Sequence, residues 1–166
     1  ISIFILAKYV VPTIVAGGNP ITTSLIGASA IAILSLYPAH GFNRRTSIAL
    51  MSMLLSLGLA TGLATLFVNL ARLFGLGTEE AFYIQMGLLE NIDLKGLLLG
   101  GIIIGVLGVL DDVTTGAAAA VDEIHKANSK FSFTELYQRG LSVGREHITS
   151  LVNTLALAYI GASFPL

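Results

Sequence analysis

Between Gly96 and Val121 the chain runs for 26 residues in which everything is apolar or small except Asp111, Asp112, Thr114 and Thr115. At helical pitch such a run rises about 39 Å, more than the ~30 Å of hydrocarbon in a bilayer. A stretch of this length and character reads as a membrane-spanning helix. Composition agrees, with 54% hydrophobic and 11% charged residues, where soluble domains carry roughly a quarter charged. The expected fold class is therefore all-α, a polytopic transmembrane helix bundle whose surroundings are the lipid bilayer. A net charge of −1 without a basic tail argues against nucleic acid as a partner. The absence of cysteine removes disulfide and thiolate chemistry.

Five apolar segments can be placed along the chain. Residues 1–16 are apolar apart from Ser2, Lys8, Tyr9 and Thr13, and Gly17-Gly18-Asn19-Pro20 closes them. This first segment is short for a span, as a helix lacking its first turns would be. Lys8 either snorkels towards an interface or serves as a charge partner for the aspartates. Residues 21–37 form the second segment, with the small residues Gly27, Ala28, Ala30 and Ala32 that let helices approach closely in lipid. A basic turn, 38–45, contains Arg44 and Arg45. The third segment, 46–74, has Gly58 and Gly62 at GxxxG spacing. A mostly acidic connection, 75–95, holds Glu79, Glu80, Glu90 and Asp93, with a short interfacial helix expected at 81–89.

The fourth segment is the 96–121 run, continued into water by Asp122-Glu123-Ile124-His125-Lys126. Residues 132–145 then read as a cytoplasmic amphipathic helix. Ser132 and Glu135 fit a capping box, and Phe133, Leu136 and Leu141 give the helix an apolar side. Residues 148–166 form the fifth segment. Both ends of the chain fall inside apolar runs, so residues 1–166 are expected to be a single transmembrane domain, the core of a longer protein. Additional transmembrane helices or a partner membrane protein would complete it. Lysine and arginine in short loops favour the cytoplasmic side. The Arg44/Arg45 turn and the 122–147 segment are thus expected to be cytoplasmic, and 75–95 extracytoplasmic.

A carboxylate at the centre of a membrane helix costs at least ~2.5–3.5 kcal/mol and normally faces a bundle interior or water. Asp112 shares a stripe with Gly101, Gly105 and Gly108 at offsets of three and four, a face on which another backbone can pack. Asp111 is turned by about 100° from it, which makes Asp112 the expected buried helix–helix site and Asp111 an auxiliary acid. Asp112 is either a structural hydrogen-bond acceptor or a proton or cation site. No metal is expected, because no His/Cys/Asp/Glu set at ligand spacing accompanies it. An aspartic protease needs two carboxylates sharing a proton, and adjacent residues on one helix point apart. The fifth segment offers partners: Thr149, Ser150, Asn153 and Thr154 make a polar stripe, and Asn153 can donate to a carboxylate. Arg145 anchors the cytoplasmic end or pairs with Asp122 or Glu123. Gly116 and Ala117–Ala120 thin the lower half of the fourth helix, leaving room for tight packing or a narrow wet cavity.

Several of these residues carry a family resemblance. The string Gly101-Ile102-Ile103-Ile104-Gly105-Val106-Leu107-Gly108 leading to Asp112-Val113, then Glu123-Ile124, Gly144-Arg145 and the run from Asn153 to Leu166 resemble the YibE/F-like family of bacterial multi-pass membrane proteins. Gly41-Phe42-Asn43-Arg44-Arg45 and Glu79-Glu80-Ala81 do so as well. Three features depart from the family pattern: Asp111 stands where an apolar residue is usual, Glu146 replaces an aspartate, and 114–120 is unusually alanine-rich. The resemblance implies a bacterial cell-membrane location, further spans, an extracytoplasmic N-terminal portion and a permease-like character. A looser likeness of pattern extends to the membrane halves of SecD/SecF and RND transporters, whose intramembrane carboxylates belong to proton-driven transport.

The functional expectation is an ion- or proton-coupled, permease-like transporter or a subunit of one, without a cofactor. Asp112 would be its coupling carboxylate, and Asn153 and Thr149 its polar partners. The alternative is a membrane scaffold that docks a partner through the 132–145 helix. No nucleophile–base pair or phosphate-cradling loop points to an enzyme.

Overall fold

The computed structural model describes residues 1–75, 83 and 92–163. The expected interfacial helix at 81–89 and the acids Glu79, Glu80 and Glu90 lie outside the described residues. Every element is helical: α1 (Ser2–Val15), α2 (Pro20–His40), α3 (Arg44–Leu70), α4 (Leu94–Ala127) and α5 (Phe133–Ser163). Three of them, α2, α3 and α4, are long and apolar enough to cross a membrane, and α1 is a shorter apolar helix. The chain divides into two compact units, Ile1–Asp111 and Asp112–Leu166, and the division falls inside α4.

Within the first unit, α1 is not a uniform helix. Pro12 has no N–H to give the Lys8 carbonyl, and the helix widens into a π turn over Leu6–Val10, with the Val11 N–H reaching the Leu6 carbonyl. The Thr13 hydroxyl donates to the Tyr9 carbonyl at 2.6 Å. Gly17 takes φ 92°, a conformation that costs a glycine little, and reverses the chain. Asn19 then caps α2: its Oδ1 accepts from the Ile21 and Thr22 N–H groups at 3.0 and 3.2 Å. Pro20 follows at the first helical position, where its missing N–H costs nothing.

α2 runs three residues beyond the expected end at Tyr37, because Pro38 removes only one bond close to the helix terminus. Gly41, at φ 78°, stops it, with its N–H on the Tyr37 carbonyl at 2.8 Å. Asn43 starts α3 by accepting the Thr46 N–H at 2.9 Å and donating its own amide to the His40 carbonyl at 2.7 Å. Tyr37 stacks on Phe42 with ring centroids 4.4 Å apart. The basic turn is thus a built corner rather than a slack loop.

α2 is the centre of this unit. Gly27 receives Val10 of α1 so closely that an added Cβ would overlap the valine methyl. Gly100 and Gly96 of α4 receive Ser24 and Pro20, with a Cβ at Gly100 falling 2.6 Å from the Ser24 hydroxyl and one at Gly96 3.2 Å from Pro20 Cδ. Ala28, Ile31, Ala32 and Leu36 of α2 are buried, as are Ala49, Leu50, Met53 and Leu57 of α3 and Leu99, Ile103 and Leu107 of α4. The outer face of α3 is the opposite in kind: Ile48, Met51, Leu55, Leu59, Leu63, Leu66 and Leu70 are all exposed. A continuous apolar stripe of this length is ordinary against lipid and a liability in water. Gly58 and Gly62 lie in open space among these residues.

The amphipathic segment and the fifth apolar segment, expected as separate pieces, form one unbroken helix, α5. Arg145, Glu146 and His147 between them are compatible with helix, and neither proline nor a positive-φ glycine intervenes.

The contrast between packed and open glycines is measurable. Gly100→Val, which pushes a side chain into Ser24, should lower stability by about 1–3 kcal/mol in reversible unfolding from mixed micelles. Gly105→Val, with nothing within 4 Å of its Cβ, should stay within about 0.5 kcal/mol.

Candidate functional site

Both carboxylates sit on α4. In the first unit, the close-packed face of α4 is Gly96, Leu99, Gly100, Ile103 and Leu107. Asp111 continues this face one turn on and is half-buried. The sequence-predicted stripe lies elsewhere on the helix. Gly101, Gly105 and Gly108 are exposed, and a Cβ built on any of them meets nothing within 4 Å. The reason lies in α2: Pro20 and Ser24 seat on Gly96 and Gly100, and Leu99, Ile103 and Leu107 fill the contact on that side.

In the second unit, Asp112 is exposed rather than buried in a helix–helix contact. Its backbone carbonyl accepts the Thr115 hydroxyl at 3.4 Å. The end of α4 and the start of α5 form an antiparallel hairpin. A Cβ at Gly140 would lie 2.7 Å from Val121 Cγ2, and one at Gly116 4.0 Å from His147 Nε2. Positions thus fall along α4 as they rise along α5.

The turn between these helices is ordered by its own polar groups. Asn128 Oδ1 accepts the Lys130 N–H at 3.1 Å. Glu135 Oε2 accepts both the Ser132 N–H at 2.9 Å and the Ser132 hydroxyl at 2.7 Å, and the Ser132 Oγ in turn accepts the Glu135 N–H at 3.3 Å. This is the capping box the sequence contains. The Arg139 guanidinium lies 4.4 Å from the Phe131 ring centroid, and Phe133 stacks with Tyr137.

The expected polar partners take other bonds. The Thr149 hydroxyl donates to the Arg145 carbonyl at 2.8 Å and the Thr154 hydroxyl to that of Ser150 at 2.9 Å, the usual way a helix satisfies its own hydroxyls. Asn153 is exposed, and among the described residues no hydrogen bond joins it or Thr149 to Asp112. Asp122 and Glu123 both hold Lys126, at 2.8 and 2.9 Å, while Arg145 is exposed. Lys8 is exposed in the π turn, with its ammonium 6.0 Å from the Phe4 ring centroid. No group of three or more metal-ligating side chains occurs among the described residues.

From the sequence, His147 only marks, with Arg145 and Glu146, the entry to the fifth segment. Its imidazole is the side chain that reaches α4 beside the thinned segment, at Gly116, one turn from Asp112. The available signal was a histidine at the head of the fifth segment opposite a helix stripped to glycine and alanine.

Comparison with known proteins gives one match. The family described as YibE/F-like protein matches residues 1–166. No curated protein and no solved structure matches the chain.

The capping box makes the start of α5 pH-sensitive. The backbone N–H and then the hydroxyl of Ser132 hold the Glu135 carboxyl below its ordinary range. A carboxyl depressed in the folded state adds stability above its unfolded pKa, and that stability is lost as pH falls through the folded value. First-turn amides of α5, corrected for intrinsic exchange, should therefore lose protection on acidification through and below the carboxylate range. Glu135→Gln should remove that dependence.

Proposed function

The chain belongs to the YibE/F-like family, and on that premise we propose that it is the membrane core of a permease-like transporter, coupled to protons or another ion through Asp112. The observation that carries this reading is the placement of Asp112. It stands on a 34-residue helix with the length and hydropathy of a membrane span, yet its side chain is exposed and, among the described residues, in no ion pair. Lipid is a poor neighbour for such a group. Further transmembrane helices, a partner membrane protein or a water-filled path must therefore cover it in the membrane. A carboxylate covered by water or a movable partner exchanges ions; one locked into a fixed ion pair does not. The open Gly101/Gly105/Gly108 face beside it lets a neighbouring helix approach and slide.

A second reading has its own support. Phe133, Tyr137 and Leu141 are exposed on the first half of α5, an apolar face suited to docking a partner. In that case the protein is a scaffold, and Asp112 has no part in its activity.

Proton flux separates the two. The complete protein is reconstituted in liposomes with an internal pH dye under an imposed pH gradient. Asp112→Asn should cut the flux about a hundredfold, the scale of a positioned proton-transfer group, while eluting as a monodisperse folded species. Flux that survives Asp112→Asn, combined with loss of a co-purifying partner when Phe133 or Leu141 is made polar, would establish the scaffold instead.

A further inference from the structure

We infer that His147 is the group that hands protons between cytoplasmic water and Asp112, so that the site is an imidazole–carboxylate relay across the α4–α5 hairpin. This deepens the transport reading and rests on it.

The geometry is local to the second unit. His147 Nε2 lies 4.0 Å from the Cβ position of Gly116, so the imidazole is laid against α4 where that helix has no side chain. Gly116 and Asp112 are four residues apart and share a face, with Cβ positions about 6 Å from each other. No ion pair joins His147 to Asp112 among the described residues, so the relay we infer runs through water between them. Both side chains are exposed within the second unit, so nothing in that unit keeps water from them. A Cβ at 116 would be in ordinary contact with the imidazole, so a long side chain such as leucine there would crowd it.

The chemistry fits the task. Histidine is the one side chain that ordinarily changes charge between about pH 5 and 8. In the transfer an imidazolium N–H bond breaks, the bridging water passes the proton on, and an O–H bond forms on Asp112. The imidazole is left neutral and takes its next proton from cytoplasmic water. The charged groups around His147 do not replace it. On α4, Asp122, Glu123 and Lys126 lie more than a turn past Gly116, with Lys126 bonded to both acids. On α5, Arg145 and Glu146 are its sequence neighbours and therefore point away from its face. Val143, Gly144, Ser150 and Leu151 share that face and carry no charge.

The test uses the complete protein in liposomes, with the proton itself as the probe, and measures flux from about pH 5 to 8. His147→Gln keeps a polar side chain that cannot carry a proton; Gly116→Leu keeps both the imidazole and the carboxylate but crowds the imidazole from its place. Each should lower flux about tenfold and erase the limb of the pH profile that falls in the imidazole range. Asp112→Asn combined with His147→Gln should be no worse than Asp112→Asn alone. If flux needs Asp112 but keeps its size and pH profile in both variants, the relay is overturned and the transport reading stands. A uniform loss at every pH marks a structural role for His147 and overturns the relay as well. Absence of proton flux in the wild type removes the transport reading, and the relay falls with it.

Discussion

Helices in lipid gain little from hiding apolar surface from one another, because the alternative neighbour is equally apolar. What holds them is close packing, and in the first unit that packing depends on how near backbones come to α2. Gly27 admits Val10, Gly100 admits Ser24, and Gly96 admits Pro20. Each contact is made where one partner has no side chain, so dispersion contacts form along the full length of the approach. Ser24 shows how tight this is: a hydroxyl 2% exposed, set against a glycine in a helix otherwise lined with leucine and isoleucine.

The same constraint explains which parts of the fold were legible in the sequence. Helix class, the three long apolar helices and the turns at 17–20 and 38–45 follow from local chemistry, because turn residues and apolar length act within a few residues. The Ser132/Glu135 box was legible for that reason. The packed face of α4 was not. Gly96 and Gly100 are spaced like Gly101 and Gly105, and nothing local distinguishes them. The choice between them is made by α2, many residues away, which presents Pro20 and Ser24 at the right height.

The adjacent carboxylates differ in exposure. The glycine stripe points to Asp112 as the buried carboxylate; in the first unit Asp111 continues the Leu99–Ile103–Leu107 face, and in the second Asp112 is exposed. A hydroxyl stripe such as that of Thr149 looks in sequence like a partner for a carboxylate. In a helix, however, the carbonyl four residues back is always within reach, and it took the bond. The approach of His147 to α4 was not legible either, because it is made at Gly116, a residue whose contribution is the absence of a side chain.

The face formed by Gly101, Gly105, Gly108 and Asp112 brings these points together. Three of its positions are bare backbone and the fourth is a carboxylate, so it offers lipid neither area for dispersion nor freedom from charge. Within the first unit the glycines contact nothing, and within the second Asp112 makes no ion pair among the described residues. The outer face of α3, by contrast, is a continuous row of large apolar side chains. Two helices of similar length thus present opposite surfaces, one suited to lipid and one unsuited to it. The second is stable in a membrane only when a polar, closely fitting neighbour or a column of water lies against it.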